Sequence, residues 1–161
     1  MKRKVADVMQ RKVLTIAPGK SLPELERALL RSRVSAMPVV ERSGKMVGIV
    51  SRSDVVRQLC LERSLGEAMA EVYRDQTDER FVEKSRRDVA QAIGQRMEQL
   101  CVRDVMIRDV VTVPPDLSVV KAAQLMMERR IHRLPVVEDG KLVGIVSSLD
   151  FTRIVAEQAS P

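Results

Sequence analysis

The chain has 161 residues, 45% of them hydrophobic, 31% charged and only 2% aromatic, with a formal net charge of +6. That length suffices for one domain or two small repeats that bury a core without disulfide staples, and the charge-rich composition is that of a globular chain. The scarcity of aromatics argues against a base-stacking platform for single-stranded nucleic acid, and the longest charge-free run, Leu142 to Leu149, is far short of a membrane span.

Met1 to Asp7 is basic but has no apolar run behind it, so it does not read as a secretory signal. Cys60 and Cys101 form neither a CxxC pair nor a metal-ligand cluster with the single His132, so no metal site and a reducing, cytoplasmic setting are expected. Both cysteines fall in helical, apolar surroundings and read as core or half-buried thiols. The positive charge is uneven: residues 1–57 carry 13 Lys/Arg against 5 Asp/Glu, while residues 102–161 carry 8 of each. A basic half suits an anionic ligand or partner, or simply a solvated surface.

The main signal is internal repetition. Laying residues 5–41 on 102–138 and 44–57 on 140–153 aligns 51 positions, of which 23 are identical. Chance does not produce such agreement. In chain order, Val13 to Ile16 and Val110 to Val113 are short β-branched runs, expected as strands. Ser21-Leu22-Pro23-Glu24 offers a capping box with proline in the first turn, and Leu22, Leu25 and Leu29 then share one helical face. Val119, Ala122 and Met126 do the same in the second copy. Met37-Pro38-Val39-Val40 and Leu134-Pro135-Val136-Val137 read as buried strands, followed by turns at Ser43-Gly44 and Asp139-Gly140. Met46 to Ser51 and Leu142 to Ser147 return as third strands, and a second helix follows each.

Each copy is thus β-α-β-β-α. Such a unit has too little structure to bury both faces alone, so the two should pack about a pseudo-twofold axis as an α+β fold. The expected divisions are a first repeat over 1–61, a helical insert over 62–101 and a second repeat over 102–161. In the connecting stretch Leu59, Leu61, Leu65, Met69 and Val72 suggest an amphipathic helix. Arg74 to Asp78 breaks it, and Val82, Val89, Ile93, Met97 and Leu100 mark another. Periodicity alone leaves open whether these helices cover the sheets or serve as a dimerisation or docking arm.

Thr15-x-x-Pro18, Met37-Pro38-Val39-Val40 and Gly48-Ile49-Val50-Ser51-x-x-Asp54, with Thr112-x-x-Pro115, Leu134-Pro135-Val136-Val137 and Gly144-Ile145-Val146-Ser147-x-x-Asp150, resemble the CBS domain in tandem, the pair called a Bateman module. The resemblance covers about 105 of the 161 residues, and its motifs occur in order, twice. It implies a regulatory module, not an enzyme, that binds AMP, ADP, ATP or S-adenosylmethionine in clefts between the repeats and needs no cofactor. The Thr-x-x-Pro runs, with Ile16 and Val113, would line the base pocket, and Pro38 and Pro135 are further candidate ligand contacts. Ser51 and Asp54, and Ser147 and Asp150, would take ribose and phosphate.

Physical chemistry allows this role, because helix-start N–H groups favour anions and a carboxylate can accept from a ribose diol. The same Ser-x-x-Asp spacing is also a helix cap that needs no ligand, and the two uses are compatible. His132-Arg133 resembles the His-Arg string of the γ subunit of AMP-activated protein kinase, which implies phosphate contact; Ser35-Ala36 stand in the matching first-copy positions, where phosphate contact would need Arg52 to compensate or Arg133 to reach across. No paired nucleophile and base and no P-loop accompany these motifs. The resemblance further implies a homodimer and a regulated protein on another chain. A ligand-independent protein scaffold is the competing reading. Nucleic acid ranks below both, since the basic half carries no zinc-finger spacing and no aromatic strand.

Overall fold

The computed structural model describes residues 3–72 and 79–159. A 3-10 turn at Val5–Asp7 is followed by α1 (Leu22–Arg31), β1 (Ala36–Val40), β2 (Met46–Ser51), α2 (Arg52–Val72), α3 (Glu79–Gln99), α4 (Val102–Val105), α5 (Val119–Arg129), β3 (Arg133–Glu138), β4 (Lys141–Ser147) and α6 (Ser148–Ala159). β1 pairs with β2, and β3 with β4, giving two small sheets. Among the described residues the chain divides into two compact units. One lies within Met1–Thr15, Pro38–Gly48 and Arg108–Pro161, the other within Ile16–Met37 and Ile49–Ile107.

Local sequence explains most boundaries. Ser21 caps α1 as its spacing predicts: its Oγ accepts from the Glu24 N–H at 3.4 Å, and the Glu24 carboxylate accepts from the Ser21 N–H at 2.9 Å. Leu22, Leu25 and Leu29 are buried on one face of α1; on α5, Ala122 and Met126 are buried and Val119 only half-buried. The β3–β4 hairpin turns through Asp139 and Gly140, both at positive φ (50° and 76°), the pair of conformations that lets a tight turn follow strand twist. The predicted strands at 13–16 and 110–113 shrink to single bridging residues, Ile16 and Val113. Val113 still donates to the Pro135 carbonyl at 3.1 Å, but Pro114 and Pro115 follow at once with no N–H to continue a ladder, and Pro18 closes the first run likewise.

The leads preceding the first helix of each copy are exchanged. In one unit the first copy's lead sits on the body of the second: the N–H groups of Val5 and Ala6 donate to the carbonyls of Leu117 and Pro115, and Gln10 exchanges two backbone bonds with Ile145. The other unit holds the reciprocal set. There Val102 and Arg103 donate to Lys20 and Pro18, and Ile107 exchanges two bonds with Ile49. Every contact in one set has its counterpart in the other. The first unit's core accordingly gathers Val5 and Met9 with Val113, Ala122, Met126, Leu134, Val136 and Val146. The second buries Ile16, Leu22, Leu25, Leu29, Met37, Val50, Leu100, Val102 and Val105.

The helical insert is continuous with the first repeat, since α2 runs unbroken from Arg52 to Val72 before α3 packs against it. The predicted break at Arg74 to Asp78 and the side chains of Met69, Val72 and Val82 lie outside the described residues. Leu59, Leu61 and Leu65 of the expected amphipathic stretch are exposed. The approach to α3 is made instead at Gly66, where a Cβ would lie 2.6 Å from Val89 Cγ1, and Arg96 reaches back to Glu62 at 3.6 Å. A glycine at the crossing lets the helices close in, which turns the leucines outward. Cys60, expected in or near a core, is exposed on the same helix, and Cys101 is half-buried.

Candidate functional site

Both Ser-x-x-Asp turns stand where a strand runs directly into a helix, β2 into α2 and β4 into α6. The Asp54 carboxylate Oδ2 accepts from the Ser51 N–H at 2.7 Å and from its hydroxyl at 2.6 Å, and the Asp54 N–H donates to Ser51 Oγ at 3.3 Å. Ser147 and Asp150 repeat the first two bonds at 2.7 and 2.6 Å. Both carboxylates are nearly enclosed, 3% exposed at Asp54 and 5% at Asp150. The capping role allowed by the sequence is therefore present in both copies. It occupies Oδ2 and leaves Oδ1 to distinguish them.

At Asp54, Oδ1 receives the guanidinium of Arg57, one turn along α2. Among the described residues, the corresponding oxygen of Asp150 receives only the neutral side-chain amide of Gln10, at 3.5 Å from the exchanged lead. Asp150 lines a hollow of 330 Å³ with Arg3, Asp7, Val8, Arg153, Ile154 and Glu157, where Arg3 pairs with Glu157 at 3.2 Å. Sequence reasoning included neither Gln10 nor Arg57. The i, i+3 spacing of Asp54 and Arg57 could have shown the latter, whereas Gln10 meets an aspartate 140 positions away and left no local signal.

The remaining predicted residues take varied positions. Thr15 and Thr112 are exposed, Ile16 and Val113 buried, and the half-buried Pro18 and Pro115 offer their carbonyls to the exchanged leads. Pro38 and Pro135 are buried in β1 and β3. Arg52 bends back to the Leu29 carbonyl at 3.5 Å, and its N–H donates to the Ser35 carbonyl. In the second copy the Ser148 N–H donates to the His132 carbonyl in the same way. Arg133 sits directly across the hairpin from Ser147. The structure thus brings Arg133, Ser147 and Asp150 to one strand end. The His132 side chain lines a separate, largely apolar hollow of 390 Å³ with Ala123, Met126, Met127, Arg130, Ile131, Ser148 and Phe151. His132 and Asp150 thus line different hollows of this unit.

Among the described residues, no group of three His, Cys, Asp or Glu side chains could hold a metal ion, and no helix is long and apolar enough to cross a membrane. No buried side-chain nitrogen or oxygen lacks a hydrogen-bond partner among them.

The family model described as CBS domain matches the chain twice, over residues 5–60 and 102–157. The protein MJ1426 of Methanocaldococcus jannaschii is 32% identical over 152 residues, spanning 91% of this chain and 87% of its own. Several other curated proteins that match are longer, and the chain spans between 61% and 22% of their length. Among solved structures, CBSX2 of Arabidopsis thaliana in complex with AMP superposes with a TM-score of 0.70 at 22% identity, covering 98% of both chains. The CBS domain pair of MJ0100 in complex with 5′-methylthioadenosine and S-adenosyl-L-methionine gives 0.64 at 23% identity, covering 98% of this chain and 99% of that one.

Proposed function

Because the chain belongs to the CBS-domain family, we propose that it is a regulatory module, not an enzyme, that binds an adenosine-containing ligand at the strand-end turns carrying its Ser-x-x-Asp motifs. AMP, ADP, ATP and S-adenosylmethionine are the ligands in view. The observation that carries the reading is Asp150. It is a carboxylate 5% exposed, lining a hollow, with no cation within ion-pairing distance among the described residues and one oxygen held only by a 3.5 Å amide contact. A buried charge so lightly compensated gains from hydroxyl donors such as a ribose diol. Two structural neighbours were solved with adenosine compounds bound, which supports the choice of ligand class.

Arg133, across from Ser147, would face the ligand's anionic group, and Thr112, Val113 and Pro115 would border the base. His132, Thr15, Ile16, Pro18, Pro38, Ser51, Arg52 and Pro135 complete the candidate set. The module would work in the cytoplasm as a homodimer and act on a protein of another chain. Support for the homodimer comes from apolar side chains left on the helices of both copies, among them Leu30 and Met127, 58% and 79% exposed at matching positions. Titration calorimetry with each of the four ligands tests the reading. Binding tighter than millimolar, lost in Asp150→Ala, is expected; no binding, or an unaffected Asp150→Ala, refutes it. The exposed Leu61 and Leu65 on α2 favour one competing reading, a ligand-independent docking scaffold. That reading predicts a partner whose capture ignores nucleotide and is lost when residues 62–100 are removed.

A further inference from the structure

We infer that the two copies are not equivalent as binding sites: the second copy's aspartate takes the ligand, and Arg57 is an internal plug that withholds the first. This rests on the adenosine reading above and specifies which site does the work. The two turns are built alike up to one oxygen. In both, Oδ2 is spent on the serine cap, so a ribose diol can reach only Oδ1. At Asp54 that oxygen is paired with Arg57 on the same helix, and a ligand must break an ion pair before it can bond.

At Asp150 the ligand displaces only a neutral amide already at the limit of hydrogen-bond length. Arg153, which matches Arg57 in the alignment of the copies, lines the open hollow instead, and its side chain pairs with no carboxylate among the described residues. The cause of the asymmetry lies in the exchanged leads. Gln10 on the first lead supplies a donor to Asp150, whereas the matching residue of the second lead is Ile107, which pairs by backbone with Ile49 and has no side-chain donor to offer. Arg57 fills that gap. The His-Arg pair follows the same division, being present in the second copy and replaced by Ser35-Ala36 in the first.

Titration calorimetry of the full chain with AMP, and separately with S-adenosylmethionine, tests this. The expected result is one ligand per chain. Asp150→Asn should weaken binding about tenfold or more, the loss expected when charge-assisted bonds go. Arg57→Ala should add a second, weaker site. Two ligands per wild-type chain, or no second site in Arg57→Ala, would each overturn this inference and leave the adenosine reading standing. Absence of binding by either probe to the wild-type chain would overturn the adenosine reading itself. Asparagine keeps an acceptor for the serine cap, and unchanged urea midpoints identify an affinity loss as one of binding.

Discussion

The exchange of leads is tested most directly at Gly144. A methyl group there would lie 2.5 Å from Met9 Sδ, 3.0 Å from Met9 Cγ and 3.1 Å from the Gln10 carbonyl oxygen. Ordinary carbon contacts lie at about 3.5–4.0 Å, so the Met9 side chain must retreat by about an ångström. It has little room, since Met9 is 9% exposed and the adjoining backbone is pinned to Ile145 by bonds of 2.9 and 3.0 Å. Gly144→Ala should therefore destabilise by about 1–3 kcal/mol, the usual cost of overpacking a filled site. Without a lead against it, the same change in a strand would be neutral or stabilising, because alanine loses less backbone entropy than glycine on folding. A double-mutant cycle read by urea denaturation separates the two. Met9→Ala alone should cost about 2–5 kcal/mol as a large-to-small core change, but in that background Gly144→Ala should cost little. Additive effects, or a neutral Gly144→Ala in the wild-type chain, would refute the lead's placement.

Three further outcomes follow from other parts of the fold. Removing residues 3–10 takes Val5 and Met9 out of one core, each worth about 1.5–3 kcal/mol of burial, so hydrogen-exchange protection should fall in β3, β4 and α5 before it falls in α1. Ser21→Ala should lower stability by about 1 kcal/mol through loss of the α1 cap, checked by the shift in urea midpoint. The Lys20 ammonium at 2.7 Å, with the Ser21 N–H and hydroxyl, holds the Glu24 carboxyl at about 2 against an ordinary 4.5. Because the folded value is the lower one, Glu24 contributes stability that is complete above pH 4.5 and fades as pH falls toward 2. A carboxyl NMR titration should find the depressed value and see it rise in Lys20→Ala.

Much of the fold was legible because its causes are local. The Ser21 capping box, the Leu22–Leu25–Leu29 face and the Asp139-Gly140 turn are set by residues within one or two turns of one another, and all three stand as their sequence predicts. The runs at 13–16 and 110–113 misled because β-branched content signals extended backbone, while a strand also needs N–H groups that the following prolines lack. The side toward which the α2 leucines turn was hidden for another reason. Their spacing shows a stripe, but Gly66 decided which side met α3, and an absent side chain gives no hydrophobic signal. At the site, Ser51, Asp54, Ser147 and Asp150 could be placed from sequence at helix starts. What differentiates them could not, because Gln10 reaches Asp150 through tertiary structure alone.

The reciprocal crossing of the two short leads has a consequence for how such a chain can be built or cut. A solitary repeat would arrive with its own sheet uncovered at one margin and with a spare peptide suited to covering another's. It could close only by trading that peptide with a sister molecule, hand for hand. Duplication within one polypeptide makes the trade intramolecular, so that neither half is complete until its sibling has been made.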